Sequence, residues 1–213
     1  MKSESRKKIE TLVERYPALS VCRDDIVKAA ELMVRCYENG GKIMTCGNGG
    51  SAADSEHIVG ELMKCFKRPR NIEVPLRDAL RSQGIIGEEV ANLLEGGIKA
   101  IALTSHPALS TAYSNDRAPQ MVFAQQLSVL GASRDCLIAI STSGNSQNCI
   151  YAAEVARAKG IKVVAMTGQK DSALSELADV CIRVPAAETF KIQEYHLPIY
   201  HALCAMVECE KFA

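Results

Sequence analysis

Residues 136–146 read CLIAISTSGNS: five apolar residues, then six small polar ones that lead into a helical pattern. An unbroken apolar run of five is too short for a core helix and fits a strand buried on both faces. Four more short runs are nearly continuous in hydrophobicity: KIMTC (42–46), IKAIALT (98–104), IKVVAMT (strand residues 162–167) and VCIRV (180–184). Helical patterns fall between and around them, at 3–16, 22–39, 51–66, 119–130, 146–159, 171–178 and 190–212. In the second, Ile26, Ala29, Ala30, Met33, Cys36 and Tyr37 recur at helical spacing, and Gly40-Gly41 ends it. Strand–helix alternation of this kind predicts an α/β sandwich, a doubly wound five-stranded parallel sheet preceded by N-terminal helices (1–40). Residues 67–97, with two prolines and a basic cluster, read as a partly helical insertion in one domain spanning 1–213.

The bulk properties narrow the function classes. Lys+Arg and Asp+Glu are each 25 in 213 residues, which argues against nucleic acid or an anionic membrane as the main partner. No apolar run approaches the roughly 18 residues of a membrane span, and the charged N-terminus has no signal-like apolar segment. Nine scattered cysteines without a CxxC pair read as reduced thiols, so a cytoplasmic protein is expected.

In an open parallel sheet, ligands bind beyond the carboxyl ends of the strands. Two loops there stand out: Gly47-Asn48-Gly49-Gly50-Ser51 after the first strand, and Ser141-Thr142-Ser143-Gly144-Asn145-Ser146 after the third. The second is dense in hydroxyls at a helix N-terminus, where free N–H groups and the helix dipole favour an anion, so a phosphate is expected there. The first matches G-x-G-x-x-A, but the stretch about 20 residues on carries no strand ending in an acid, which disfavours a dinucleotide. His57 and Glu61, four apart, project from one face of the helix that follows. The last helix supplies Gln193, His196 and His201 in an apolar setting, so three of the four histidines are candidates for one cleft. A phosphate site with a carboxylate and an imidazole suits isomerisation of a sugar phosphate, which moves a proton between two carbons through an enediol.

CGNGGSAADSEHIVGEL, ISTSGNS, the Asn115-Asp116 pair and KIQEYHLPIYH together resemble a sugar-isomerase (SIS) domain of the phosphoheptose isomerase family, over nearly the whole chain. The resemblance implies conversion of sedoheptulose 7-phosphate to D-glycero-D-manno-heptose 7-phosphate by a homotetramer with active sites at subunit interfaces. It implies Glu61 as base at the carbon acid and His201 as partner acid/base. Asn48, Gly49, Gly50, Ser51, Asn115, Asp116 and Gln193 would contact the sugar, and Ser141, Thr142, Ser143 and Ser146 the phosphate. Some members bind zinc at the positions of His57, Glu61, Gln193 and His201. Two departures bear on the sugar. Cys65 stands where the family has an Arg, leaving Lys64, Lys67 and Arg68 as nearby cations, and 67–97 is longer than usual. A non-catalytic scaffold resembling the DnaA initiator-associating protein, or a sugar-phosphate sensor, is the competing expectation.

Overall fold

The computed structural model describes residues 1–212. Five strands, β1 (Ile43–Gly47), β2 (Ala100–Ala102), β3 (Cys136–Ile140), β4 (Lys162–Thr167) and β5 (Val180–Arg183), form one sheet in the order β2-β1-β3-β4-β5. Every pairing is parallel, with Ile43 opposite both Ala100 and Cys136, and Cys136 opposite Lys162. The near-continuous hydrophobicity of the central strands follows from helices on both faces: β1 and β3 are buried at every residue.

Strand residues alternate between two cores. Ile43, Ile138, Ile140, Val164 and Met166 face the layer of α1 (Ser3–Arg15), α2 (Arg23–Glu38), α3 (Gly50–Met63) and α10 (Thr189–Phe212). Met44, Cys46, Leu137, Ala139 and Val163 face α7 (Val122–Leu130), α8 (Gln147–Ala158) and the short α9 (Ala173–Leu177). Seven of the nine cysteines are buried and all nine are free, so they serve as small apolar side chains.

Two expectations are corrected in extent. The run 98–104 is strand only at Ala100–Ala102, because the chain turns at Leu103 and Thr104, just where the Leu103 N–H makes a bond to the Thr45 carbonyl of β1 (2.9 Å). The helical pattern at 119–130 divides into a 3-10 turn at Pro119–Met121 and α7, and a ten-residue helix, α6 (Pro107–Asp116), precedes it. The insertion holds two helices, α4 (Val74–Arg81) and α5 (Ile85–Leu93), which pack mainly on each other; α4 buries no residue. Ile85, Ile86 and Leu93 on this hairpin are at least three-quarters exposed. No helix among the described residues is long and apolar enough to cross a membrane.

Candidate active site

The order β2-β1-β3-β4-β5 reverses between β1 and β3, and a crevice opens at such a switch point beyond the strand ends. Both unusual loops leave the sheet there. The first loop is tied to the first turn of α8, which follows the second, by two hydrogen bonds between side-chain amides: Asn48 Nδ2 donates to Asn148 Oδ1 (2.9 Å) and Asn148 Nδ2 to Asn48 Oδ1 (2.8 Å). Gly49, with φ +56° and ψ −121°, starts α3 in a conformation that side chains avoid.

In the second loop Ser141 Oγ donates to Ser146 Oγ (2.9 Å), and Ser143 Oγ accepts from the Asn145 N–H (3.1 Å). Ser146 is the residue before α8, yet its side chain makes no capping bond, so ordinary capping does not account for these hydroxyls. Gly144 has φ +66°, and a Cβ there would stand 2.0 Å from Ser172 Oγ, so only glycine lets the loop close against that neighbour. The result is a compact turn of four hydroxyl residues around a helix N-terminus, suited to a phosphate.

α3 and α10 pack side by side in the same direction. Gly50 meets Gln193 (an added Cβ would lie 2.6 Å from Gln193 Nε2), and two turns on His57 Nδ1 lies 3.0 Å from the Tyr200 hydroxyl, at the same offset of 143 residues. This docking brings three predicted residues together: His57 Nε2 is 3.2 Å from Glu61 Oε1 and 3.5 Å from His201 Nε2. Phe66 stacks on the His201 ring at 5.6 Å. His201 and Phe66 also line a cleft of about 310 Å³ whose charged residues are Lys8, Arg15 and Lys67.

Burial raises the Glu61 carboxyl, but the Lys64 ammonium, 2.9 Å from Oε2, and His57 outweigh it, and the carboxyl is held below its ordinary value. Burial, followed by the neighbouring His57, lowers His201. At neutral pH the pair is therefore a carboxylate beside a neutral imidazole, one group to take a carbon-bound proton and one to move a hydroxyl proton. Burial, then Asp54, pushes the Tyr200 phenol up, and burial raises Asp54 itself.

Zinc suits the donor types, and two ligands of a tetrahedral ion with bonds of ~2.0–2.1 Å stand about 3.4 Å apart, close to the two separations at His57 Nε2. Gln193 is not with this group; it lies against Gly50, about 12 Å along α10 from His201. Among the described residues no three His, Cys, Asp or Glu side chains are arranged to hold a metal ion, so the cluster has the right donors but is not a finished cage. Ser51 is buried, whereas Asn48, Gly49 and Gly50 are open to the crevice. Asn115 and Asp116 are exposed on the last turn of α6, where Asn115 Nδ2 donates to Asp116 Oδ1.

His196 does not share the cleft. It is fully buried, with Nε2 only 3.4 Å from the Thr167 carbonyl and Nδ1 without a partner, and burial lowers its pKa to about 4. The unfolded chain binds this proton below about pH 6.5, so stability drains away as pH falls from 6.5 towards 4, by on the order of 3 kcal/mol. In His196→Leu, urea midpoints measured across that window should fall less steeply than in the parent. Identical slopes would refute this account.

Sequence reading missed Asp54 and Tyr200. A signal was present for Asp54, which shares a helical stripe with His57 and Glu61 (i, i+3, i+7), but none for Tyr200 beyond its place next to His201. It also missed Arg70 and Glu208, a pair with side chains 0% and 1% exposed and 2.9 Å apart.

The SIS domain family matches residues 123–207, and a second SIS domain family matches residues 7–82. A phosphoheptose isomerase of Rhodospirillum rubrum is 36% identical over 208 residues, 98% of this chain and 97% of that one. That of Thiobacillus denitrificans is 39% identical over 186 residues, 86% of this chain and 82% of its own. Among solved structures, a phosphoheptose isomerase from Neisseria gonorrhoeae superimposes with TM-score 0.74 at 32% identity, covering 97% of this chain and 94% of that one. One from Francisella tularensis gives 0.75 at 31% identity, covering 98% and 100%.

Proposed function

The chain belongs to the phosphoheptose isomerase family of SIS domains, and from that premise we propose that it interconverts sedoheptulose 7-phosphate and D-glycero-D-manno-heptose 7-phosphate through an enediol. The observation that carries this reading is the meeting of Glu61 with His57 and His201 across α3 and α10. Glu61 and His201, on two helices far apart in sequence and joined through His57, supply a carboxylate and a neutral imidazole to one place, as this reaction requires.

The hydroxyl loop at 141–146 and the α8 N-terminus hold the phosphate, and that remote binding fixes the reacting carbons. Gln193 and the open backbone at 48–50 line the path between, and α10 spans about 12 Å from Gln193 to His201, room for an extended chain of several carbons. Glu61 takes the proton from C1 of the ketose. His201 passes a hydroxyl proton between O1 and O2, and Glu61 returns its proton to C2. Tyr200 holds His57 by Nδ1, which leaves Nε2 turned to Glu61 and His201.

Zinc belongs to this proposal: His57, Glu61 and His201 would hold it, and it would polarise the carbonyl oxygen; metal analysis of the purified protein checks it. A homotetramer is also proposed, supported by the exposed apolar α4–α5 hairpin, a surface of the kind that association covers. A cytoplasmic setting accords with nine free thiols. No observation favours the scaffold or sensor alternatives.

The test is proton exchange. With sedoheptulose 7-phosphate in deuterated solvent, deuterium should enter C1 of the ketose and C2 of the aldose at rates tied to turnover. A panel of five- to seven-carbon ketose phosphates, with and without added zinc, fixes the chain length. Absence of exchange with every ketose phosphate overturns the reading.

A further inference from the structure

The last four carbonyls of a helix have no partner within it, and the last turn of α3 carries Glu61. Two of those carbonyls, Glu61 and Leu62, are held by Arg70, and Leu62 also accepts from the Ile98 N–H (2.9 Å). Arg70 Nη1 donates to the Leu62 carbonyl (2.6 Å) and Nη2 to the Glu61 carbonyl (3.2 Å). The same guanidinium is anchored on α10: Nε lies 3.0 Å and Nη2 2.9 Å from Glu208 Oε1. Glu208 also accepts from the Phe66 N–H (2.9 Å) and the Lys67 N–H (3.0 Å), and Phe66 is the residue stacked on His201. Glu208 lies two turns beyond His201 on α10, about 10 Å along the axis.

The geometry points to Arg70 and Glu208 as positioning residues for the isomerisation: one buried ion pair that fixes the backbone of Glu61 and, through Phe66, the ring of His201. Neither charged group reaches the substrate crevice. The pair acts through the two residues that do, so this inference rests on the reaction assigned above. A guanidinium is required because it spans two carbonyls and a carboxylate with a rigid planar fork, which an ammonium does not. Cys65 stands where the resemblance places an Arg, and Arg70, with its side chain 0% exposed, is buried and not free to reach a substrate in its stead.

Removing one partner strands a buried charge and endangers folding, so the informative variant is Arg70→Met/Glu208→Leu, which removes both ions and keeps the volume apolar. Arg70→Lys and Glu61→Gln are assayed beside it with sedoheptulose 7-phosphate, well below each melting transition and per folded molecule. The double variant should lose about 10²-fold in kcat, the size of effect that follows a displacement of reacting groups by about 1 Å, with KM little changed. Its primary isotope effect with C1-deuterated substrate should be no smaller than in the parent, because proton abstraction has become the slow step. Arg70→Lys should lose part of kcat and keep KM. A purely structural role lowers the folded fraction and leaves kcat per folded molecule unchanged. Parental kcat in the double variant beside an inactive Glu61→Gln overturns the inference alone. Full turnover in Glu61→Gln overturns the reaction assignment and this inference with it.

Discussion

Glu61→Gln should turn over sedoheptulose 7-phosphate about 10²–10⁴-fold more slowly, the range that a positioned base contributes, while the sugar phosphate still binds. The amide matches the carboxylate in size and keeps the helix, but it cannot accept a carbon-bound proton. Binding survives because the phosphate loop at 141–146 lies on a different helix and shares no hydrogen bond with Glu61. The Lys64 ammonium 2.9 Å away keeps the parent carboxylate ionised but also dulls it as a base. Full basicity therefore needs Lys64 to move off, and with 58% of its side chain exposed it is free to do so. Calorimetric titration with substrate and a turnover assay on the same preparation separate the two effects. Parental turnover would remove Glu61 from the mechanism. Loss of binding in proportion to turnover would make it a binding residue instead.

The sheet was legible because burial on both faces leaves a mark at every strand position, as in CLIAI and KIMTC. Where one face opens, the mark weakens: β2 is an edge strand of three residues, and the apolar Leu103 beyond it packs into the core at a turn, its N–H bonded to Thr45 of β1. The His57–Glu61 pair could be read from its four-residue spacing. Its meeting with His201 could not, since it depends on how α3 docks along α10, a matter of the whole face of each helix. The same limit explains His196. Five residues separate it from His201, so the two point about 140° apart around the helix, and apolar neighbours on both sides hide which of them faces the core. Arg70 was hidden more completely. In the run KRPR (67–70) it looks like one more solvated cation, and only a carboxylate 138 residues away draws it inside.

That docking also allows the two proton transfers to be assigned to different side chains. His201→Asn should slow isomerisation about 10²–10⁴-fold, yet deuterium should still enter C1 of sedoheptulose 7-phosphate at a rate reduced by much less. Glu61 remains to take the C1 proton and to return one from solvent, whereas the variant has no group to pass the hydroxyl proton between O1 and O2. An enediolate formed in this variant therefore collapses back to the ketose. Asparagine keeps a polar group of similar reach under the Phe66 ring, so the α3–α10 contact at Tyr200 and His57 is preserved. The ratio of exchange to isomerisation, followed by NMR in deuterated solvent, should rise well above that of the parent. Equal losses in both would show that His201 acts at the carbon acid as well, or that the base itself has been displaced. A ratio that falls would assign the carbon-bound proton to His201 and leave Glu61 to serve the hydroxyls.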